Sequence, residues 1–171
     1  LIQSLVSRDL TARYRGSVLG FLWSFINPLL LLATYGVAFT YMLPVPRSRD
    51  TEPYFLFLFC GILPWSWFSG SVLEASGTLM AGSNLIKKVL FPAEVLPIVT
   101  VLANLVHFLL GLPILLLFLV YYRHAINLTD LVWFPLVVVT QLLLTVGLAL
   151  IVSALTVHFR DLKDLVANLL T

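Results

Sequence analysis

Residues 82–97 read GSNLIKKVLFPAEVLP, a charged and turn-rich piece set between two long apolar runs. Lys87 and Lys88 are adjacent, Phe91 precedes Pro92, and Glu94 stands just before Leu96 and Pro97. A lysine pair at the centre of a spanning helix is costly, so this piece belongs outside the hydrocarbon. Pro92 lacks an N–H and biases Phe91 away from helical backbone, so a short helix starting near Asn84 is expected to end there. Pro97 suits the first turn of the next helix. The expected form is a short amphipathic helix with Leu85, Ile86, Val89 and Leu90 against the membrane end and the lysines toward water. A loop of this kind is a place where a soluble partner can push on a membrane protein.

Composition agrees with that reading of the loop. The chain has 171 residues, 60% of them hydrophobic and 11% charged. A soluble domain carries about 25% charged residues, so a membrane protein is expected. The formal charge of +2 is no nucleic-acid footprint. A single cysteine, Cys60, excludes a disulfide within the chain. The first residue is Leu1, not Met, and the last, Thr171, falls inside an apolar helical pattern. Truncation at both ends is the expectation.

Outward from the loop, the apolar runs divide into spans. A spanning helix needs about 20 apolar residues. Spans are expected over residues 18–43, 54–79, 96–122 and 131–158, with the start of a fifth at 165–171. The fold class is therefore all-α integral membrane: a polytopic helical bundle with at least four complete spans. Residues 1–16 carry Leu1, Ile2, Leu5, Val6 and Leu10 at helical spacing, and Arg8, Asp9, Arg13 and Arg15 toward the end. They are expected to form an amphipathic interface helix whose basic side faces headgroups and cytoplasm. A basic stop before the first span is the simpler alternative. A kink is expected at Asn27-Pro28 and an interruption at Pro64.

Basic residues set the orientation. Arg8, Arg13, Arg15, Lys87, Lys88, Arg160 and Lys163 fall on one side, and Arg47, Arg49 and Arg123 on the other. The excess marks the cytoplasmic side and puts the amino end there.

Motifs for chemistry are sparse. Gly77 and Gly82 have the glycine spacing of a phosphate loop, but Ser83-Asn84 stand where Lys-Ser/Thr belongs and no strand precedes them. The chain is thus not expected to bind ATP or any other cofactor, and transport must draw on a partner or an ion gradient. No metal or catalytic motif is present. Thr100, Asn104, His107 and Gly111 recur at helical spacing on one span. Such a stripe either glues helices together or lines a pathway. Asn27, Thr34 and Tyr41 form a similar stripe, as do Gln141 and Thr145. Trp65, Trp67 and Phe68 count to mid-membrane. They are either packing bulk or a stacking surface for sugar rings. Glu74 counts to near the inner interface, so deep burial is not required of it. Gly16 and Gly20 have close-packing spacing, with Gly16 as the alternative elbow between surface helix and span.

Three stretches carry a family resemblance. RDLTARYRGSVLGFLWSFINPLL (residues 8–30), NLIKKVLFPAEVLP (84–97) and HFRDLKDLV (158–166) together resemble the membrane subunit of ABC-2-type polysaccharide exporters, the permeases for O-antigen, capsular polysaccharide or teichoic acid. The resemblance implies a six-span subunit of the ABC-2 (type V exporter-like) fold. It also implies pairing with a second copy of itself and with two copies of an ABC ATPase, which would hold the ATP and Mg. Asn84, Leu85, Ile86, Lys87, Lys88, Phe91, Pro92 and Glu94 would then form the ATPase-coupling region. Arg8, Asp9, Arg13, Tyr14 and Arg15 would lie on the interface helix near the inner mouth. Asn27, Thr34, Tyr41, Trp65, Trp67, Phe68, Asn104 and His107 are the candidate pathway lining.

The expected function is that of a transport permease, with no covalent chemistry of its own. It would move a lipid-linked, O-antigen-like polysaccharide across a bacterial inner membrane. A drug or lipid exporter of the same superfamily is the nearest rival. An integral-membrane transferase would need an acid/base set, for which only Glu74, His107 and His158 offer themselves, at different depths. A passive channel would conduct without any ATPase subunit.

Overall fold

The computed structural model describes residues 2–14, 19–38, 54–83, 92–122 and 128–170. Every regular element among the described residues is helical. In chain order these are α1 (Ile2–Tyr14), a 3-10 turn (Gly20–Leu22), α2 (Trp23–Val37), α3 (Tyr54–Ala81), α4 (Val95–Tyr121), α5 (Leu128–His158) and α6 (Leu162–Leu170). Helices are what such apolar runs must form in lipid, because only a helix or a closed barrel satisfies its own backbone polar groups.

Three helical stretches are long and apolar enough to cross a membrane: Leu56–Ala81, Val95–Tyr121 and Leu131–His158. They coincide with the second, third and fourth expected spans. Of the first expected span, the described residues hold α2, with a shorter apolar stretch at Phe25–Val37. The expected short helix in the lysine loop falls on residues 84–91, outside the described residues, as do Arg15 and Tyr41. The prolines do not break the helices that contain them: α2 runs on through Pro28 and α3 through Pro64. After α5 the chain turns at Phe159–Asp161 and restarts as α6, three residues earlier than the expected fifth segment.

Two compact units divide the chain. The first comprises Leu1–Arg13, Trp67–Leu105 and Ile126–Thr171. At its centre Ala75 of α3, Val101 of α4 and Ala149 of α5 are fully buried, with Leu142 and Val146 packed against them. Thr145, Ala149, Ser153 and Thr156 are buried along one stripe of α5, and Ser71 and Ser76 along α3. Small side chains let helix backbones approach closely, which is how helices gain packing when lipid offers no hydrophobic drive. Apart from Ser71, whose buried hydroxyl has no partner among the described residues, their hydroxyls bond within their own helices: Thr145 donates to the Gln141 carbonyl at 2.7 Å and Thr156 to that of Val152 at 2.8 Å. Ser153 donates to the Leu150 carbonyl at 3.0 Å. The opposite side of α5 is bare, with Val132, Leu136, Leu143, Leu144 and Ile151 all more than half exposed. In water that surface would be an aggregation liability, whereas lipid tails cover it at no cost.

The second unit comprises Tyr14–Ser66 and Val106–Ala125. Leu56, Phe59 and Leu63 bury one face of α3, and Phe108 is buried on α4. Gly111 sits under Leu63, so that a Cβ there would come within 2.6 Å of Leu63 Cδ1. Its place in the stripe of α4 is therefore a packing place. Gly20 has φ +48°, a left-handed conformation that glycine adopts without a Cβ penalty. No atom lies within 4 Å of a Cβ built on it. Of the two glycines in that motif, Gly20 is thus a turn position rather than a packing contact, while Gly16 lies outside the described residues.

Candidate functional site

The charged groups of the first unit gather toward the loop end of α3 and α4. α1 brings Arg13 there. On α1 itself, Asp9 and Arg13 stand one turn apart, and Arg13 Nε donates to Asp9 Oδ2 at 2.9 Å. The rest of the guanidinium turns to α3 and α4. Nη2 reaches Glu74 Oε2 at 2.6 Å and Nη1 reaches Glu74 Oε1 at 3.3 Å, a two-pronged ion pair. Nη1 also donates to Asn104 Oδ1 at 2.9 Å. Asn104 Nδ2 donates in turn to Glu74 Oε2 at 3.0 Å. The three side chains close a ring across three helices, and the ring sets the amide orientation of Asn104.

Burial and charge explain the ring. Glu74 and Asn104 each lie two turns inside their helices, counted from the loop. Glu74 is exposed, so its pairing answers the charge of Arg13 rather than burial. Asn104 is 8% exposed, so both ends of its amide need hydrogen bonds. The Arg13 side chain is 27% exposed and that of Glu74 44%, so water still screens the pair. Burial alone would lower the Arg13 pKa, but the charges of Glu74 and then Asp9 outweigh it, and the net direction is upward. Arg13 is therefore a fixed positive charge. Its guanidinium is taken up by its own chain. Arg8 is exposed.

The loop itself has two described stems. Gly82 N–H donates to the Thr78 carbonyl at 2.8 Å, closing α3. On the other side the turn at Pro92–Glu94 leads into α4, with Val95 N–H to the Pro92 carbonyl and Leu96 N–H to that of Ala93, both 3.2 Å. Pro97 is buried in the first turn of α4, where its missing N–H costs nothing. Glu94 is exposed just before that first turn, where the helix dipole favours an anion. The stems meet: a Cβ on Gly82 would collide with the Leu96 side chain. Of the expected coupling residues, Pro92 and Glu94 are placed. Asn84, Leu85, Ile86, Lys87, Lys88 and Phe91 lie outside the described residues. α6 adds one more charge to this end, since Lys163 Nζ lies 3.9 Å from the Cβ position of Gly77 on α3.

The candidate pathway residues do not share one environment. Trp67 is buried, and its indole N–H donates to the Val101 carbonyl at 3.4 Å. Trp67 and Asn104 are thus in helix packing, one of the two roles left open for them. Trp65 is 51% exposed and Phe68 half-buried. On α2, Asn27 is exposed, and exposed Thr34 donates to the Leu30 carbonyl at 2.8 Å. His107 is half-buried on α4. His158 lies against its own helix, with Nδ1 3.4 Å from the Ala154 carbonyl. Glu74 is engaged by Arg13 and Asn104.

Sequence reasoning missed the ring. A signal was present: Glu74 lies eight positions before Gly82, and Asn104 eight positions after Leu96. Helices leaving one tight loop place equal counts at equal depth, so the carboxylate and the amide were bound to meet if their faces matched.

Comparison with known proteins now bears on this geometry. The family description "ABC-2 type transporter" matches residues 1–171. The chain is 45% identical over 172 residues to the O-antigen export system permease protein RfbA of Myxococcus xanthus, covering all of this chain and 64% of that protein. It is 35% identical over 167 residues to a protein of the same description from Klebsiella pneumoniae, covering 98% of this chain and 63% of the relative. The chain thus spans under two thirds of the length of either relative.

Proposed function

The chain belongs to the ABC-2 type transporter family, and from that premise we propose that it is the membrane-spanning part of a permease that exports a lipid-linked, O-antigen-like polysaccharide. The observation that carries the reading is the 45% identity to an O-antigen export permease along the whole of this chain. The protein sits in a bacterial inner membrane with its amino end in the cytoplasm. It pairs with a second copy of itself and with two ABC ATPase subunits, which hold ATP and Mg. It performs no covalent step: its work is to open and close a path when the ATPase moves.

The loop carrying Lys87 and Lys88 is the handle for that motion. Asn84, Leu85, Ile86, Phe91 and Pro92 shape it, and Glu94 stands at the base of α4. Two features support this reading. The stems of the loop touch at Gly82 and Leu96, so force on the tip reaches α3 and α4 together. The lysine pair offers a compact positive charge to an acidic cleft. The polymer, held by its lipid anchor, enters beside α1 near Arg8 and Tyr14. Asn27, Thr34, Trp65, Phe68 and His107 remain the candidates for its path.

The test uses the full-length permease reconstituted with its ATPase subunit in proteoliposomes. Lys87→Glu/Lys88→Glu is expected to cut ATP turnover stimulated by an undecaprenyl-linked glycan, without loss of the folded subunit. Undiminished stimulation in that variant would refute the coupling role. Stimulation by a small amphiphile but not by the glycan would move the protein to drug or lipid export.

A further inference from the structure

We propose that Glu74 and Asn104 are positioning residues that latch α1 onto the helical hairpin carrying the lysine loop, so that a push on the loop moves α1 with it. This rests on the coupling role proposed above for residues 84–91.

Three observations within the first unit converge. First, α3 and α4 are tied at two levels. Next to the loop they touch through Gly82 and Leu96. Two turns deeper they are joined by Asn104 Nδ2 to Glu74 Oε2 at 3.0 Å. Two ties about 12 Å apart, at about 1.5 Å per residue, resist shear of one helix past the other. Second, α1 joins at the deeper tie. Arg13 offers Glu74 two N–H groups and Asn104 one, while its Nε stays with Asp9 on α1. One guanidinium therefore connects α1 to both helices of the hairpin. Third, the geometry is directional. A planar guanidinium facing a carboxylate with two parallel bonds fixes angle as well as distance, which a lone lysine would not.

The consequence is mechanical. α3 and α4 form the shaft that leads to residues 84–91, and α1 is bolted to that shaft. When the loop is displaced, α1 follows as part of the same body. In the function proposed above α1 lies at the membrane surface, where a helix that moves with the loop gates what enters beside it. Without the ring, α1 loses its bonds to Glu74 and Asn104, and motion of the hairpin is passed on less directly.

The experiment has two independent readouts on the full-length protein. Spin labels at Ser7→Cys on α1 and Met80→Cys on α3, in a Cys60→Ser background, report the distance between α1 and the hairpin. Export per ATP hydrolysed, measured with the ATPase subunit, reports coupling. In the parent a single narrow distance is expected. Glu74→Ala and Asn104→Ala should each broaden it, and lower export per ATP at least about fivefold while ATP hydrolysis persists. The swap Arg13→Glu/Glu74→Arg, made together with Asp9→Lys so that position 13 keeps an opposite charge one turn away, should restore both in part. An unchanged distance in Glu74→Ala overturns the latch. A broadened distance with normal export per ATP overturns the transmission. Lys87→Glu/Lys88→Glu with normal coupling would instead strike the loop itself, while the distance readout still decides the latch.

Discussion

Replacing Glu74 with alanine should destabilise the protein far more than replacing Asp9, although both carboxylates pair with the same arginine. Asp9 is a partner one turn away on the same helix, and such pairs contribute about 0.3–0.5 kcal/mol. Glu74 holds Arg13 with two bonds from a site 44% exposed. Discounted for water, that contributes about 1 kcal/mol. Its loss also orphans Asn104 Nδ2, whose residue is 8% exposed. A buried donor left without a partner costs about 1–3 kcal/mol. The sum is about 2–4 kcal/mol for Glu74→Ala. Because the amide penalty exists only once Glu74 is gone, Glu74→Ala/Asn104→Ala should cost less than the two single changes added, by about 1–2 kcal/mol. The assay is equilibrium unfolding of the full-length protein in lipid bicelles, across a cycle of single and double variants. The reasoning fails if Glu74→Ala lies within about 0.5 kcal/mol of Asp9→Ala, or if the cycle is additive.

Other outcomes follow from single residues. Gly111→Ala forces Leu63 to move from a buried seat and should cost about 1–3 kcal/mol, read by the same unfolding assay. Gly20→Ala meets no neighbour but must hold φ +48°, so it should cost about 1 kcal/mol, with Gly20→Asn milder. Amine-reactive labels should modify Lys87 and Lys88 only from the cytoplasmic face of sealed vesicles; modification from the opposite face alone would invert the orientation. The Arg13 pKa is raised, so its contribution is present at low pH and is lost only as pH rises through the folded value. That window lies far above the physiological range. Stability of Arg13→Ala relative to the parent should therefore be constant between about pH 6 and 9, and a step in that range would contradict the fixed charge.

Much of the architecture was legible because lipid leaves a chain few choices. Runs such as residues 131–158 have no water for their backbone groups, so they must be helices, and the lysine pair cannot sit among them. The three long spanning stretches therefore appear where the apolar runs lie. Pro64 misled, because proline signals in water overstate the break: α3 passes it as one helix. The environment of the aromatics was not legible. Trp65 and Trp67 have the same character, yet one is exposed and the other donates to the Val101 carbonyl, a difference set by which face of α3 meets α4.

The apolar pattern, the charge in the loop and the family motifs are properties of the residues in order, and they determined the class of protein without any contact being known. The partners of Arg13 belonged to the tertiary structure alone. Glu74 and Asn104 are 61 and 91 positions from it, and no period or motif links such positions. Only when α1, α3 and α4 pack does one guanidinium find a carboxylate and an amide within 3.3 Å, and it takes them because the buried amide would be costly to leave unpaired and the carboxylate answers its charge.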